Sequence, residues 1–191
     1  MNVWSSEREF ARQTDVCHSV QKNVMKTDKE IIYAFIDSQN LNLSILHAGW
    51  KLDFKRLRIF LERKYHVAKI FLFIGYVMGN EMLYTSLQNM GYVVVFKPTL
   101  QNKDGVVKGN CDAELVLHCM IEYDNFDQAI VVSGDGDFHC LVEYLLAQNK
   151  FFKLGIPNKR SFSALLKKFQ NRCFYVSDLR HKLEYYKNDR G

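Results

Sequence analysis

Two prolines in 191 residues leave little room for a long linker, and ten glycines leave little for a low-complexity segment; no internal repeat is visible either. Five cysteines stand at positions 17, 111, 119, 140 and 173, and no two form a Cys-x-x-Cys pair. An odd, scattered set fits reduced thiols better than a disulfide framework. There is no apolar run long enough to cross a bilayer. Where a secretory leader would need apolar residues, the chain carries Glu7, Arg8, Glu9, Arg12 and Asp15. These absences lead to the expectation of a soluble cytoplasmic protein with no membrane partner.

What is present is enough apolar material for a core: 48% of residues are hydrophobic. The formal net charge of +5 is compatible with a polyanionic partner without establishing one. Residues 1–29 are polar, of mixed charge, with weak helical spacing in Phe10, Val16 and Val20, and read as an N-terminal extension. The expected domain spans residues 30–187.

Within it, short β-branched and aromatic runs alternate with helical patterns. Strands are expected at Ile31–Ile36, Val67–Ile74, Tyr92–Phe96, 128–132 and 151–156, with a short one near 173–176. Helices are expected at 53–64, 80–90, 111–122, from Phe138 through Leu146, from Ser161 onward and at 178–187, and residues 97–110 read as a loop. Strands separated by helices imply the α/β class, with a mainly parallel sheet covered on both faces.

In such a sheet, ligands sit beyond the carboxyl ends of the strands. The stretch Ala129-Ile-Val-Val-Ser133-Gly134-Asp135-Gly136-Asp137-Phe138 is a buried strand running into that edge. A helix cap accounts for one of its aspartates, since Asp is a favoured N-cap, but not for two. Asp-x-Asp at a strand end suits Mg²⁺ or Mn²⁺, which prefer carboxylate oxygens, although Asp-Gly is also common in ordinary turns. Asp37 follows the first strand directly. Asp112 opens the helix at 111–122 and shares a face with Leu115, Val116 and Cys119; Glu114, with His118 and Glu122, is turned away toward solvent. Each acid alone has a bland explanation, as a turn residue or a partner of a helix dipole. Together they converge on one edge from positions far apart in the chain.

Three blocks carry a resemblance: Tyr33-Ala-Phe-Ile-Asp37-Ser-Gln-Asn40-Leu41, Lys108-Gly-Asn-Cys-Asp112-Ala-Glu-Leu115, and Val132-Ser133-Gly-Asp-Gly-Asp137-Phe138. In order and spacing they resemble the NYN domain, a family of PIN-like nucleases, over residues 31–183. The resemblance implies a Rossmann-like three-layer α/β/α sandwich. It also implies an acidic quartet, Asp37, Asp112, Asp135 and Asp137, with Asn40 and Ser133 orienting it. Ser161 and Leu165 match the Ser-x-x-x-Leu that follows the fifth strand in the family. Many relatives carry an Ala-Asp pair near the next strand; here the stretch reads Asn171-Arg172-Cys173-Phe174, so no acid is assigned there.

The expected chemistry is hydrolysis of RNA phosphodiester bonds assisted by Mg²⁺ or Mn²⁺, because crowded carboxylates repel one another until a cation neutralises them. Lys97, Lys103, Lys108, Lys159 and Arg160 lie in loops after strands and would ring the acids, attracting phosphate; Lys108 and Ser161 are the expected substrate contacts. Lys55, Arg56, Arg58, Arg63 and Lys64 read as a solvated helix face. Trp50, Tyr76 and Phe138 could stack on bases of single-stranded RNA, or be core. A zinc site among Cys111, His118, Cys119, His139 and Cys140 lacks structural-site spacing, so buried thiols are expected instead. An aspartyl phosphatase would want Asp-x-Asp after the first strand, where this chain has Asp37-Ser38-Gln39. A non-catalytic RNA-binding module that keeps the cleft is the alternative to a nuclease, and homo-oligomers are compatible with either.

Overall fold

The computed structural model describes residues 30–97, 100–101, 107–108 and 111–186. Its first strand, β1 (Ile32–Asp37), is buried at every position. A strand apolar on both faces belongs in the middle of a parallel sheet, where helices cover both sides. β1 pairs in parallel with β2 (Val67–Gly75) and with β6 (Gln128–Val132). The sheet continues through β3 (Val93–Lys97) on one side, and through β7 (Phe151–Ile156) and β8 (Cys173–Tyr175) on the other. Strand order is β3-β2-β1-β6-β7-β8, with every pairing parallel.

Alternation along β1 sends its side chains to two separate cores. Phe35 joins Phe71, Phe73 and Val131 beneath helices α4 (Asp112–Ile121) and α5 (His139–Ala147). Ala34 and Ile36 join Ile70, Leu72 and Val132 beneath helices α1 (Ser38–His47) and α2 (Phe54–Tyr65). Leu57 and Leu61, a turn apart on α2, are fully buried in this second layer. Each stabilises the fold by about 1.5–3 kcal/mol through burial alone. Helix α3 (Glu81–Asn89) follows β2, and Gly91 ends that connection with φ +91°, a left-handed conformation suited to glycine.

Several expectations change. The segment after Asp37, for which the sequence pattern assigns no element, is a ten-residue helix, α1. Asp37 is its N-cap, and Leu41 and Ile45 anchor it at an i, i+4 spacing. The segment after Ser161 forms a 3₁₀ helix over Ala164–Arg172, where a regular helix is expected. The final helix shrinks to α6 (Arg180–Leu183), because Glu184 leaves it to bridge Leu52. On α2, the apolar Ile59 is exposed, while Arg58, expected on the solvated face, is half-buried and lies against Gly91. The 97–110 loop contains a two-residue antiparallel pair, β4 (Leu100–Gln101) with β5 (Val107–Lys108). The 1–29 extension and Lys103 lie outside the described residues.

Candidate acidic active site

Strand register explains how the acids meet. Ile36 pairs with Val132, so the next residues, Asp37 and Ser133, emerge side by side at the carboxyl edge. The Ser133 hydroxyl donates to Asp37 Oδ2 at 3.3 Å, and its oxygen accepts from the Asp135 N–H at 3.1 Å. Asp37 Oδ1 accepts from the Asn40 N–H at 3.0 Å, which caps α1. Asn40 reaches back across the edge, its Oδ1 accepting from the Gly134 N–H at 2.8 Å. One turn is therefore laced to the other, and Asn40 and Ser133 are the laces.

The turn after β6 is shaped by its glycines. A Cβ on Gly136 would stand 2.3 Å from Ser163 Oγ, so the loop after β7 closes directly over this residue. The Ser163 N–H donates to Gly134 O at 3.0 Å, fastening that loop in place. Asp135 Oδ1 accepts from the Asp137 N–H at 3.1 Å, and residues Gly136–Phe138 form a short 3₁₀ turn leading into α5.

Asp112, Asp135 and Asp137 each offer a carboxylate oxygen, all within 4.8 Å of one another. Asp37 lies behind them, 7% exposed. Its carboxyl is pushed up to about 6, mainly by burial and further by the nearby charges of Asp112 and Asp135; the Asn40 N–H and the Ser133 hydroxyl oppose that shift. The buried Cys111 thiol is pushed up to about 11, again by burial first and then by Asp37. A thiol so raised stays protonated near neutral pH and is a poor nucleophile.

An open cleft of about 630 Å³ is lined by Asp135 and Asp137, by Asn40 and Ser44 of α1, by Arg160 and Ser161 of the loop after β7, and by Leu165 of the 3₁₀ helix that follows it. Ser44, Phe162 and Ser163 are additions to the residues picked from the sequence. Ser44 follows from helical spacing once α1 is recognised, four residues beyond Asn40. Ser163 carries no local signal, because its place depends on how two loops meet.

Among the described residues, two of the five expected rim cations are paired. Lys97 Nζ is 3.2 Å from Glu114 Oε2, and Lys159 Nζ is 3.1 Å from Asp178 Oδ2. Glu114 is thus not solvated as its helical position suggested. Glu114, His118 and Glu122 form a stripe that meets the sheet: His118 packs edge-on against Phe73, and Glu122 pairs with Lys69. Arg160 reaches the cleft. Lys108 pairs with Leu100 through its backbone, and its side chain lies outside the described residues. Phe138 is core at 1% exposure, whereas Tyr76 is partly open and packs on Tyr84 and Phe96. Among the described residues, Cys111 and Cys119 are buried thiols, but Cys140 is exposed, and none joins a metal-ligating cluster. Arg172 donates to Phe151 O at 2.7 Å and Phe174 lies under Gly155, so the stretch lacking the family acid serves the sheet edge.

A family model described as the NYN domain matches residues 32–178. Among solved structures, the chain is similar to a protein of unknown function from Vibrio parahaemolyticus RIMD 2210633, at TM-score 0.69 and 24% identity, over 82% of this chain and 97% of that one. That likeness is one of fold. No curated protein matches.

Proposed function

This chain belongs to the NYN domain family of PIN-like nucleases, and on that premise we propose that it is a metal-dependent ribonuclease that hydrolyses phosphodiester bonds of single-stranded RNA at the acidic cleft. The observation that carries the reading is the convergence of Asp112, Asp135 and Asp137 within 4.8 Å, backed by the buried Asp37. Three carboxylates at that separation are a hard-oxygen donor set suited to Mg²⁺ or Mn²⁺. The upward push on Asp37 comes mainly from burial, and the nearby charges of Asp112 and Asp135 add to it; a divalent cation would relieve that added part. Asp112, Asp135 and Asp137 would hold the ion, with Asp37 as the fourth acid. When bound, such an ion supplies Lewis acidity toward a phosphoryl oxygen and makes a nearby water more acidic.

The chain's own groups do the positioning. Ser133 and Asn40 tie Asp37 and the Asp135 turn into one unit, so the acids are held before substrate arrives. Arg160 and Ser161, which line the same cleft, offer donors to phosphate oxygens. Lys108 is a further proposed phosphate contact.

The test is incubation of pure protein with end-labelled single-stranded RNA and DNA in Mg²⁺, in Mn²⁺ and in chelator. The expected result is metal-dependent RNA cleavage by wild type. Asp135→Asn should lose cleavage yet keep RNA binding, because a carboxylate that repels phosphate is gone. Binding without metal-dependent cleavage by wild type would replace the enzyme with a non-catalytic RNA-binding module. Equal cleavage by wild type and Asp135→Asn would assign the activity to a contaminant.

A further inference from the structure

A second cavity, of about 760 Å³, opens beside the acidic cleft and shares Arg160 with it. Its walls come from the end of α1 (His47, Ala48), from the loop after β7 (Asn158, Lys159) and from the turn after β8 (Ser177, Asp178). β7 and β8 are parallel neighbours, so both loops stand at the carboxyl edge where the acids lie. Helix α1 spans the two spaces. Asn40 and Ser44 face the acidic cleft, and His47 and Ala48 face the second cavity. Positions i, i+4, i+7 and i+8 form one helical face, so these are successive steps along a single wall. From Asn40 to His47 the helix rises about 10 Å. That distance matches about three stacked nucleotides of one strand.

The chemistry of the two spaces differs in sign. The cleft presents Asp135 and Asp137, whereas the second cavity presents Lys159, Arg160 and Arg180 against one carboxylate, Asp178. Lys159 is matched by Asp178, and Arg180 by Glu184 through contacts of 2.8 and 3.0 Å. The Arg160 side chain is exposed and has no protein partner among the described residues; only its backbone N–H is engaged, with Asn158 Oδ1 at 3.0 Å. A guanidinium left open between an acid cluster and a polar, cation-rich cavity is suited to a phosphate that lies next to the one held at the acids. The cavity is large enough for a nucleotide. Trp50, 6% exposed, supplies an apolar portion of its wall.

We propose that this cavity is a strand-binding subsite: single-stranded RNA engaged at the acids continues along the α1 wall, its next phosphate on Arg160 and a flanking nucleotide seated between His47 and Asn158. The proposal rests on the ribonuclease reading and deepens it, because it makes affinity depend on strand length on one side of the cleavage point.

The experiment measures binding of a labelled dinucleotide and a labelled decanucleotide of RNA across a salt series, in the full chain carrying Asp135→Asn so that no strand is cut. His47→Glu places a carboxylate in the second cavity, on an exposed residue away from the acids. It should weaken decanucleotide binding about tenfold and leave dinucleotide binding unchanged. Arg160→Ala should lower the slope of log affinity against log salt by about 0.7, the share of one phosphate on a single strand. Thermal stabilisation by Mn²⁺, read without RNA in the wild-type background, should be the same with and without His47→Glu. Unchanged decanucleotide affinity and salt slope in both variants would overturn the subsite and leave the ribonuclease reading standing. Equal weakening of both lengths by His47→Glu would also overturn it, by showing an effect spread through the cleft. Wild type that neither binds nor cleaves RNA would remove both proposals together.

Discussion

The turn after β1 and the turn after β6 start alike and end differently. Each leaves a largely apolar, buried parallel strand, and each uses an aspartate to accept a main-chain N–H from the next few residues. After β1, Ser38 and Gln39 carry the chain straight into α1, and Asp37 is sealed at 7% exposure. After β6, Gly134 and Gly136 allow a tight turn under the Ser163 loop, so Asp135 stays partly open and Asp137 is exposed. The same residue type at the same place in the fold thus takes two electrostatic roles. The sealed acid resists ionisation and registers the charge around it, whereas the open pair faces whatever enters the cleft. Burial, and not residue identity, makes the difference.

The sharpest way to break this comparison is Asp37→Asn, which keeps the cap while removing the charge. If the sealed acid is part of the proposed site, RNA cleavage at saturating Mn²⁺ should fall about 10²–10³-fold, measured as single-turnover rate. Activity within twofold of wild type would reduce Asp37 to a helix cap.

The same variant should change how stability depends on pH. The Asp37 carboxyl moves from an ordinary 3.8 to about 6 in the folded chain. Between those values the native state holds a proton that the unfolded chain has released. Metal-free stability should therefore fall as pH rises from about 4 to about 6 and level off above, a loss of about 3 kcal/mol. Urea melts in chelator should show this slope in wild type and a shallower one in Asp37→Asn. Parallel profiles would mean that Asp37 does not carry the strain.

Adding metal tests the open pair. At pH 7 and a hundredfold excess over the dissociation constant, Mg²⁺ or Mn²⁺ should stabilise wild type by about 2.7 kcal/mol, and Asp137→Asn should blunt that gain. An undiminished gain in the variant would take Asp137 out of the proposed ligand set.

The smallest effect separates the two glycines. Gly136→Ala forces its methyl against Ser163 and Leu165 and should cost about 1–3 kcal/mol. At Gly134 the nearest atoms, Asn40 Oδ1 and Phe162 Cβ, are 3.4 Å away, so Gly134→Ala should cost less. Equal melting temperatures for the two variants would show that the Ser163 loop can simply move aside.

How much of this was legible before folding depends on the range of the forces involved. β6 and β7 fall where their apolar runs end, and the α/β class follows from alternation alone, because strand patterning and turn chemistry act over a few neighbouring residues. Asp37, Asp112, Asp135 and Asp137 can be brought to one edge on paper for the same reason: each stands at the end of a strand or the start of a helix. The α1 helix was hidden because it presents only two deeply buried apolar residues, Leu41 and Ile45, beside a buried serine. The register that sets Ser133 on Asp37, the stripe of Glu114, His118 and Glu122 against the sheet, and the position of Arg160 between two cavities were decided by tertiary structure. They join residues separated by tens of positions, and such contacts form only when packing of the whole sheet brings their backbones together.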